Sequence, residues 1–147
     1  DALLQQLMTT AKPNVLQLHC HEDKARVENI KHQTGLPIIK AVGIEGHNDV
    51  VNAKHYESVA DYLLLDTKAP TEHGGTGRSF DWQLITHGTF QIPWFLSGGL
   101  NAANVVEAVK QTQAQYVDVS SGIESTRGVK DASKIIAFNE TVRRITA

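Results

Sequence analysis

Five short apolar segments recur along the chain, each followed by a helical pattern, and this alternation restricts the fold more than any other feature. The predicted strands are residues 15–19, 37–42, 62–65, 94–97 and 116–120. Helices are predicted over residues 2–11, 22–33, 49–58 and 101–112, and two more begin at Asp81 and Asp131. Such an alternation is typical of a parallel sheet with helical crossovers, so the sequence predicts an α/β domain.

The number of strand–helix units further restricts which α/β architectures are possible. Five strand–helix units preceded by a lone helix match neither a clean doubly wound sheet nor a closed barrel. They match the last five units of an eight-fold barrel. We therefore predict that residues 1–147 form a single domain, an incomplete (β/α)8 TIM barrel with about strands 4 to 8 and their helices. Because the chain starts at Asp1 within a helical pattern, we expect the N-terminal βα units to be absent from it.

Composition excludes several classes of protein. The chain has 147 residues, a formal net charge of −2 and no basic cluster, which argues against nucleic acid as a partner. No apolar run approaches the roughly 20 residues of a spanning helix, so no membrane association is expected. The single cysteine, Cys20, rules out an internal disulfide and fits a reducing, cytoplasmic location.

Polar and glycine residues follow the predicted strands. In a parallel α/β array all carboxyl ends of the strands lie at one face, where active sites are found. That face would collect His19, Cys20, Lys40, Asp66, Gly98, Gly99, Ser120, Ser121 and Gly122.

Two of these strand ends have the composition of an anion-binding turn. Gly98-Gly99 precedes a predicted helix, and Ser120-Ser121-Gly122 follows the next strand. Glycine allows backbone N–H groups to approach a phosphate closely, although both segments would also suit ordinary turns. Their occurrence on consecutive strands favours a phosphate site.

Asp66 ends an uncharged strand and precedes a loop containing Gly74-Gly75-Thr76-Gly77. The carboxyl group could donate a proton to a substrate under a mobile loop, or it could be a helix N-cap or a solvated strand end. Lys40 could hold an anion or pair with an acid such as Asp66. We expect His19 to be structural or substrate-shaping, and Cys20 to be a small strand-end residue rather than a nucleophile. No set of side chains has the spacing of a metal site.

Several segments together resemble the phosphoribosylanthranilate isomerase family of tryptophan biosynthesis. In the family's order, they are residues 15–19, 39–41, 64–66, 74–77 with 80–82, 96–101 and 117–124. Their combination is specific, whereas Gly-Gly-Thr-Gly alone would be weak.

The resemblance implies an enzyme, an intramolecular aldose–ketose isomerase. Its reaction is the Amadori rearrangement of N-(5'-phosphoribosyl)anthranilate to 1-(2-carboxyphenylamino)-1-deoxyribulose 5-phosphate. By resemblance, Asp66 is the general acid, and Gly98, Gly99, Ser120, Ser121 and Gly122 bind the phosphate of this small-molecule substrate. Residues Gly74 to Gly77 match the mobile loop that closes over substrate, and neither a metal nor an organic cofactor is implied.

The chain departs from the family in its missing general base. That base is a cysteine in a Lys-Ile-Cys-Gly motif on the first strand, a motif absent here, and Cys20 occupies a position where the family usually has glycine. We therefore expect the isolated fragment to be inactive and, as an incomplete barrel, to self-associate. Two alternatives are a non-catalytic phosphate-binding barrel fragment and another phosphate-binding barrel, similar to thiamine-phosphate synthase or pentose-phosphate epimerase.

Overall fold

A five-stranded parallel sheet forms the centre of the molecule in a computed structural model, which describes residues 2–19, 21–68, 79–85 and 89–145. Its strands are β1 (Leu16–Leu18), β2 (Ile38–Ile44), β3 (Tyr62–Thr67), β4 (Trp94–Leu96) and β5 (Tyr116–Val117). Their spatial order follows the chain, β1-β2-β3-β4-β5, and every neighbouring pair is parallel. The predicted α/β class with a parallel sheet is confirmed.

Over the residues described, five α-helices accompany the sheet: α1 (Ala2–Thr10), α2 (Lys24–Thr34), α3 (His47–Lys54), α4 (Val105–Thr112) and α5 (Ala132–Ile145). Capping residues mark the end of one of these helices and the start of another. Gly35 closes α2 in the left-handed conformation, with φ of 64°. Asp131 precedes α5 and accepts a hydrogen bond from the Lys134 backbone N–H at 3.1 Å, as predicted for a capping residue. Within the described ranges, none of the helices has the length and apolar character needed to cross a bilayer.

The two faces of the sheet are packed differently. Leu63 and Leu65 of β3 are fully buried and belong to a core with Leu96 and Val105. The alternate residues of neighbouring strands form an aromatic row: the Tyr62 and Phe95 rings lie 6.0 Å apart, and the Phe95 and Tyr116 rings 4.9 Å apart. Tyr116 remains 43% exposed, so this second face is less completely covered.

The helix predicted from Asp81 is wrong over the described residues. A three-residue 3₁₀ turn, Trp82–Leu84, takes its place, and residues 89–93 are not helical. The Asp81 carboxylate caps the turn by accepting from the Gln83 N–H at 3.0 Å. Ile85 and Phe90 are both buried in the main core, and this packing outweighs the local helical preference of the segment.

The helix predicted over residues 101–112 begins later, at Val105. Residues 102–104 form a turn instead, in which the Asn101 carboxamide oxygen accepts from the Ala103 N–H at 2.9 Å. A further feature was not predicted: after β5, the strands β6 (Glu124–Thr126) and β7 (Val129–Lys130) form a small antiparallel hairpin.

Candidate active site

A cleft of about 550 Å³ opens at the carboxyl ends of the parallel strands. Its lining includes the predicted site residues His19, Asp66, Gly98, Gly99, Ser120 and Ser121. Five residues from three other segments, Gln17, Asp118, Glu124, Arg127 and Gly128, complete much of the wall. The structure thus brings together residues that are up to 111 positions apart along the chain, from Gln17 to Gly128.

Asp66 lies near the end of β3 and is only 9% exposed. One carboxylate oxygen, Oδ1, accepts a hydrogen bond from the Thr67 backbone N–H at 2.8 Å. The other, Oδ2, lies 3.9 Å from Nε2 of His19. Burial raises the pKa of Asp66 above its ordinary value, with a further contribution from Asp118, while the Thr67 N–H and His19 act in the opposite direction. This carboxyl group therefore retains its proton at a higher pH than an exposed aspartate would, which suits a proton donor.

Asp118 is a residue of the cleft to which the sequence analysis assigned no role. Its Oδ2 accepts a hydrogen bond from the Ser97 hydroxyl at 2.9 Å, and its backbone N–H donates to the Leu96 carbonyl at 2.8 Å. Like Asp66, it directly follows an apolar strand segment, and that position was the available signal. The cleft therefore holds two carboxylates, and the charge of Asp118 contributes to the raised pKa of Asp66.

Gly98 lets β4 approach the end of β3 closely. Its φ is 90°, and a Cβ atom would lie 2.7 Å from the Thr67 nitrogen and collide with the Thr67 hydroxyl. It would also lie 3.1 Å from Oδ1 of Asp66. A side chain at this position would displace the very segment that carries the buried carboxyl group.

Gly122 lies where the turn after β5 packs against the turn after β4. A Cβ atom here would collide with the carbonyl oxygen of Leu100, so glycine permits the two turns to pack against each other. Ser120 and Ser121, rather than Gly122, are among the residues that line the cleft.

Side chains outside the turns hold them in place. Asn104 donates from Nδ2 to the Gly99 carbonyl at 3.0 Å and accepts from the Asn101 N–H at 2.8 Å. Lys130, on the hairpin, donates to the Ser120 carbonyl at 2.9 Å and pairs with Glu124 at 2.8 Å. The hairpin thus supports the second turn.

Lys40 lies away from the cleft, because β2 continues to Ile44 and Lys40 is not at a strand end. Its neighbour on β3 is Leu63, three positions before Asp66. Its ion pair is formed with Glu22, at 3.1 Å, so Asp66 was the wrong partner. The predicted strand ended at residue 42 and Lys40 was assigned to that end, whereas β2 continues through Gly43 to Ile44. Cys20 and the Gly74–Gly77 loop lie outside the described residues.

The fold and the cleft define the class: an α/β enzyme whose site lies at the carboxyl ends of parallel strands and includes a buried acid. The family model described as N-(5'phosphoribosyl)anthranilate (PRA) isomerase matches residues 1–141. The chain belongs to this family. The predicted assignment to an isomerase of tryptophan biosynthesis is confirmed.

Individual relatives agree. An N-(5'-phosphoribosyl)anthranilate isomerase of Rhodopseudomonas palustris (strain BisB18) is 44% identical over 146 residues, covering 97% of this chain and 67% of the relative. The isomerase of Nitrobacter hamburgensis is 47% identical, with 97% and 65% covered. The chain therefore spans about two thirds of the length of these relatives.

Solved structures give the same result. The phosphoribosylanthranilate isomerase of Thermotoga maritima has a TM-score of 0.84 and 33% identity, with 97% of this chain and 68% of that one covered. A phosphoribosylanthranilate isomerase in complex with reduced 1-(o-carboxyphenylamino)-1-deoxyribulose 5-phosphate has a TM-score of 0.79 and 31% identity, with 97% and 66% covered.

Proposed function

We propose that this chain supplies the acid and the phosphate-binding turns for the isomerisation of N-(5'-phosphoribosyl)anthranilate. Asp66 is the proton donor in this proposal. The observation that carries it is the buried Asp66 carboxyl group, which has a raised pKa and lies in the same cleft as the turns at Gly98 and Ser120.

The chemistry requires an acid at this point of the reaction. Asp66 protonates the furanose ring oxygen, the bond between that oxygen and C1' breaks, and the nitrogen lone pair forms a Schiff base. Removal of a proton from C2' by a base then gives an enolamine, which tautomerises to the aminoketose. A carboxyl group whose pKa is raised by burial keeps its proton to a higher pH than an exposed aspartate, which suits it to the first step.

The phosphate of the substrate binds at the two turns in this proposal. Gly98 and Gly99 have φ values of 90° and 65°, a conformation in which glycine exposes its backbone N–H groups without steric cost. The hydroxyl groups of Ser120 and Ser121 add donors from the neighbouring turn.

We further infer that β1 to β5 correspond to strands 4 to 8 of the family's eight-stranded barrel. The sequential strand order and the coverage of 67% to 68% of the related chains support this correspondence. The family's first-strand cysteine has no counterpart in residues 1–147, so the chain by itself holds only the acid of the acid–base pair. A cytoplasmic location is part of the proposal and fits the single cysteine.

Replacing Asp66 by asparagine tests the role of the acid. In a protein extended at its N-terminus to include the cysteine motif, Asp66→Asn should lower kcat by about 100-fold or more, because proton donation to the ring oxygen is lost. Steady-state kinetics measures the effect. Asp61→Asn, at the opposite end of the same strand, is the matched control and should leave kcat unchanged. Normal turnover by Asp66→Asn would refute the assignment.

A second candidate is a phosphate-binding fragment without catalysis, favoured by the missing Lys-Ile-Cys-Gly motif. Calorimetry with a ribose-phosphate analogue would then detect binding by the 147-residue chain, with no turnover in the same preparation. Turnover by the chain alone would exclude this candidate.

Self-association follows from the exposed aromatic row on the sheet. Tyr116 is 43% exposed beside Phe95, and apolar sheet surface of this kind favours association. Sedimentation should show dimers or larger species at micromolar concentration, whereas a compact, stable monomer would contradict the expectation.

A further inference from the structure

Lys40 is a buried lysine that the cleft does not use. It is 2% exposed, and its Nζ donates to the Ala41 carbonyl at 2.9 Å and to Glu22 Oε2 at 3.1 Å. The same Nζ lies 5.4 Å from the centre of the Tyr56 ring. Burial of an ammonium group is unfavourable unless it is paired and hydrogen-bonded. A lysine at this position therefore indicates a role other than packing.

The contacts of Lys40 span one short connection. β1 ends at Leu18 and α2 begins at Lys24, so His19 and Glu22 belong to the connection between them. Before this connection, the Leu18 carbonyl accepts from Lys40 Nζ at 3.4 Å, and at its far end the Glu22 carboxylate forms the ion pair. The Tyr56 hydroxyl donates to the Glu22 carbonyl at 3.1 Å. Two side chains from other parts of the fold thus hold both ends of the connection.

His19 is the first residue of that connection and faces the cleft. Its Nε2 lies 3.9 Å from Asp66 Oδ2, and its Nδ1 lies 3.4 Å from the Gln17 carboxamide nitrogen. A movement of about 1 Å in the connection would change the first of these distances substantially, and displacements of that size are enough to impair catalysis.

We propose that Lys40, Glu22 and Tyr56 are positioning residues that hold His19 against Asp66. The proposal rests on the role of Asp66 proposed above. Lysine suits this task because its stem passes through the apolar core while its N–H groups reach acceptors at both ends of the connection. A methionine would fill the same volume and bind none of these acceptors.

The experiment uses Lys40→Met and Tyr56→Phe, with Lys31→Met as the matched control. Lys31 also pairs with an acid across the fold, Asp61, at 2.8 Å, but that pair lies at the opposite end of β3 from the cleft. The titration of the Asp66 carboxyl group is followed by ¹³C NMR in the 147-residue chain and assigned with Asp66→Asn. Asp66 is faced by His19, which follows β1, by Asp118, which follows β5, and by the Thr67 N–H.

The expected result follows from the sign of each influence. His19 lowers the pKa of Asp66, so releasing it should move the Asp66 titration to higher pH in Lys40→Met and, to a smaller extent, in Tyr56→Phe. Lys31→Met should leave the titration unchanged. In the N-terminally extended protein, Lys40→Met should lower kcat by about tenfold with KM nearly unchanged.

Two results distinguish the positioning role of Lys40, Glu22 and Tyr56 from the role of Asp66 as the acid. If Lys40→Met and Tyr56→Phe lose thermal stability but keep the wild-type Asp66 titration, the cluster is only structural and the inference is overturned. A titration that shifts while kcat remains unchanged supports the positioning of His19 and refutes Asp66 as the acid. If Lys40→Met does not fold, Tyr56→Phe decides the question, because it removes one hydroxyl group and keeps the ring.

Discussion

Two aspartates flank strand β3, and their environments are opposite. Asp61, just before the strand, accepts from Lys31 Nζ at 2.8 Å and from the Ile38 backbone N–H at 2.8 Å. Asp66, near the other end, has one backbone donor, the imidazole of His19 at 3.9 Å and the nearby carboxylate of Asp118. The same residue type is structural at one end of the strand and suited to chemistry at the other.

The pKa values of the two groups express this difference. Burial tends to raise the pKa of Asp61, but the hydrogen bonds from Lys31 and Ile38 outweigh it, and the net pKa lies below the ordinary 3.8. Burial also raises the pKa of Asp66, and there the opposing contributions are insufficient. The number and charge of the donors, not burial alone, decide whether an aspartate is a fixed anion or a proton donor.

The largest effect on stability is expected from the glycine that supports the Asp66 end. Gly98→Ala should lower the free energy of unfolding by about 3 kcal/mol, because the new Cβ meets backbone at Thr67 and the φ of 90° is strained for alanine. Gly35→Ala is the matched control: its φ is 64°, but no atom lies within 4 Å of the added Cβ. It should cost only about 1 kcal/mol. Urea denaturation measures both, and equal losses would show that the close contact at Gly98 is unimportant.

A smaller effect on the free energy of unfolding is expected when Asp61 or Asp66 is replaced by asparagine, and its sign differs between the two residues. A lowered folded-state pKa means that Asp61 stabilises the fold above its unfolded pKa and that this contribution is lost as the pH falls through the folded-state value. A raised folded-state pKa means that Asp66 destabilises the fold as the pH rises from its ordinary value of 3.8 through the folded-state value.

At neutral pH, Asp61→Asn should therefore lower the free energy of unfolding by about 1 kcal/mol, since its pair with Lys31 is partly exposed and screened. Asp66→Asn should leave stability unchanged or increase it. Thermal melts of both variants across the acid range measure this. The comparison fails if both variants lose stability to the same degree and with the same pH dependence.

Much of the site could be predicted because a parallel sheet places the carboxyl ends of all its strands at one edge. Once Asp66, Gly98 and Ser120 are each assigned to the carboxyl end of a strand, their convergence follows without knowledge of any side-chain contact. The error at Lys40 has a local cause. Lys40 was given a strand-end position because an apolar run marks the interior of a strand but not its last residue, and β2 extends four residues further.

Other features depended on contacts between distant residues. The segment after Asp81 has a helical pattern, but the burial of Ile85 and Phe90 produces a 3₁₀ turn and an irregular connection instead. Asp118 lay within a recognised motif, yet its proximity to Asp66 requires β4 and β5 to be paired in register, as Leu96 and Val117 are.

The sequence by itself determined the α/β class, the parallel sheet and the family, because apolar periodicity and short motifs are local properties of a chain. Only the tertiary structure decided the surroundings of Asp66 and Lys40. The pKa of a carboxyl group depends on which donors and charges surround it in three dimensions, and the partner of a buried lysine depends on which face of the sheet it occupies. Asp61 and Asp66 are the same residue type and have only four residues between them in the sequence. Their pKa values are shifted in opposite directions for that reason.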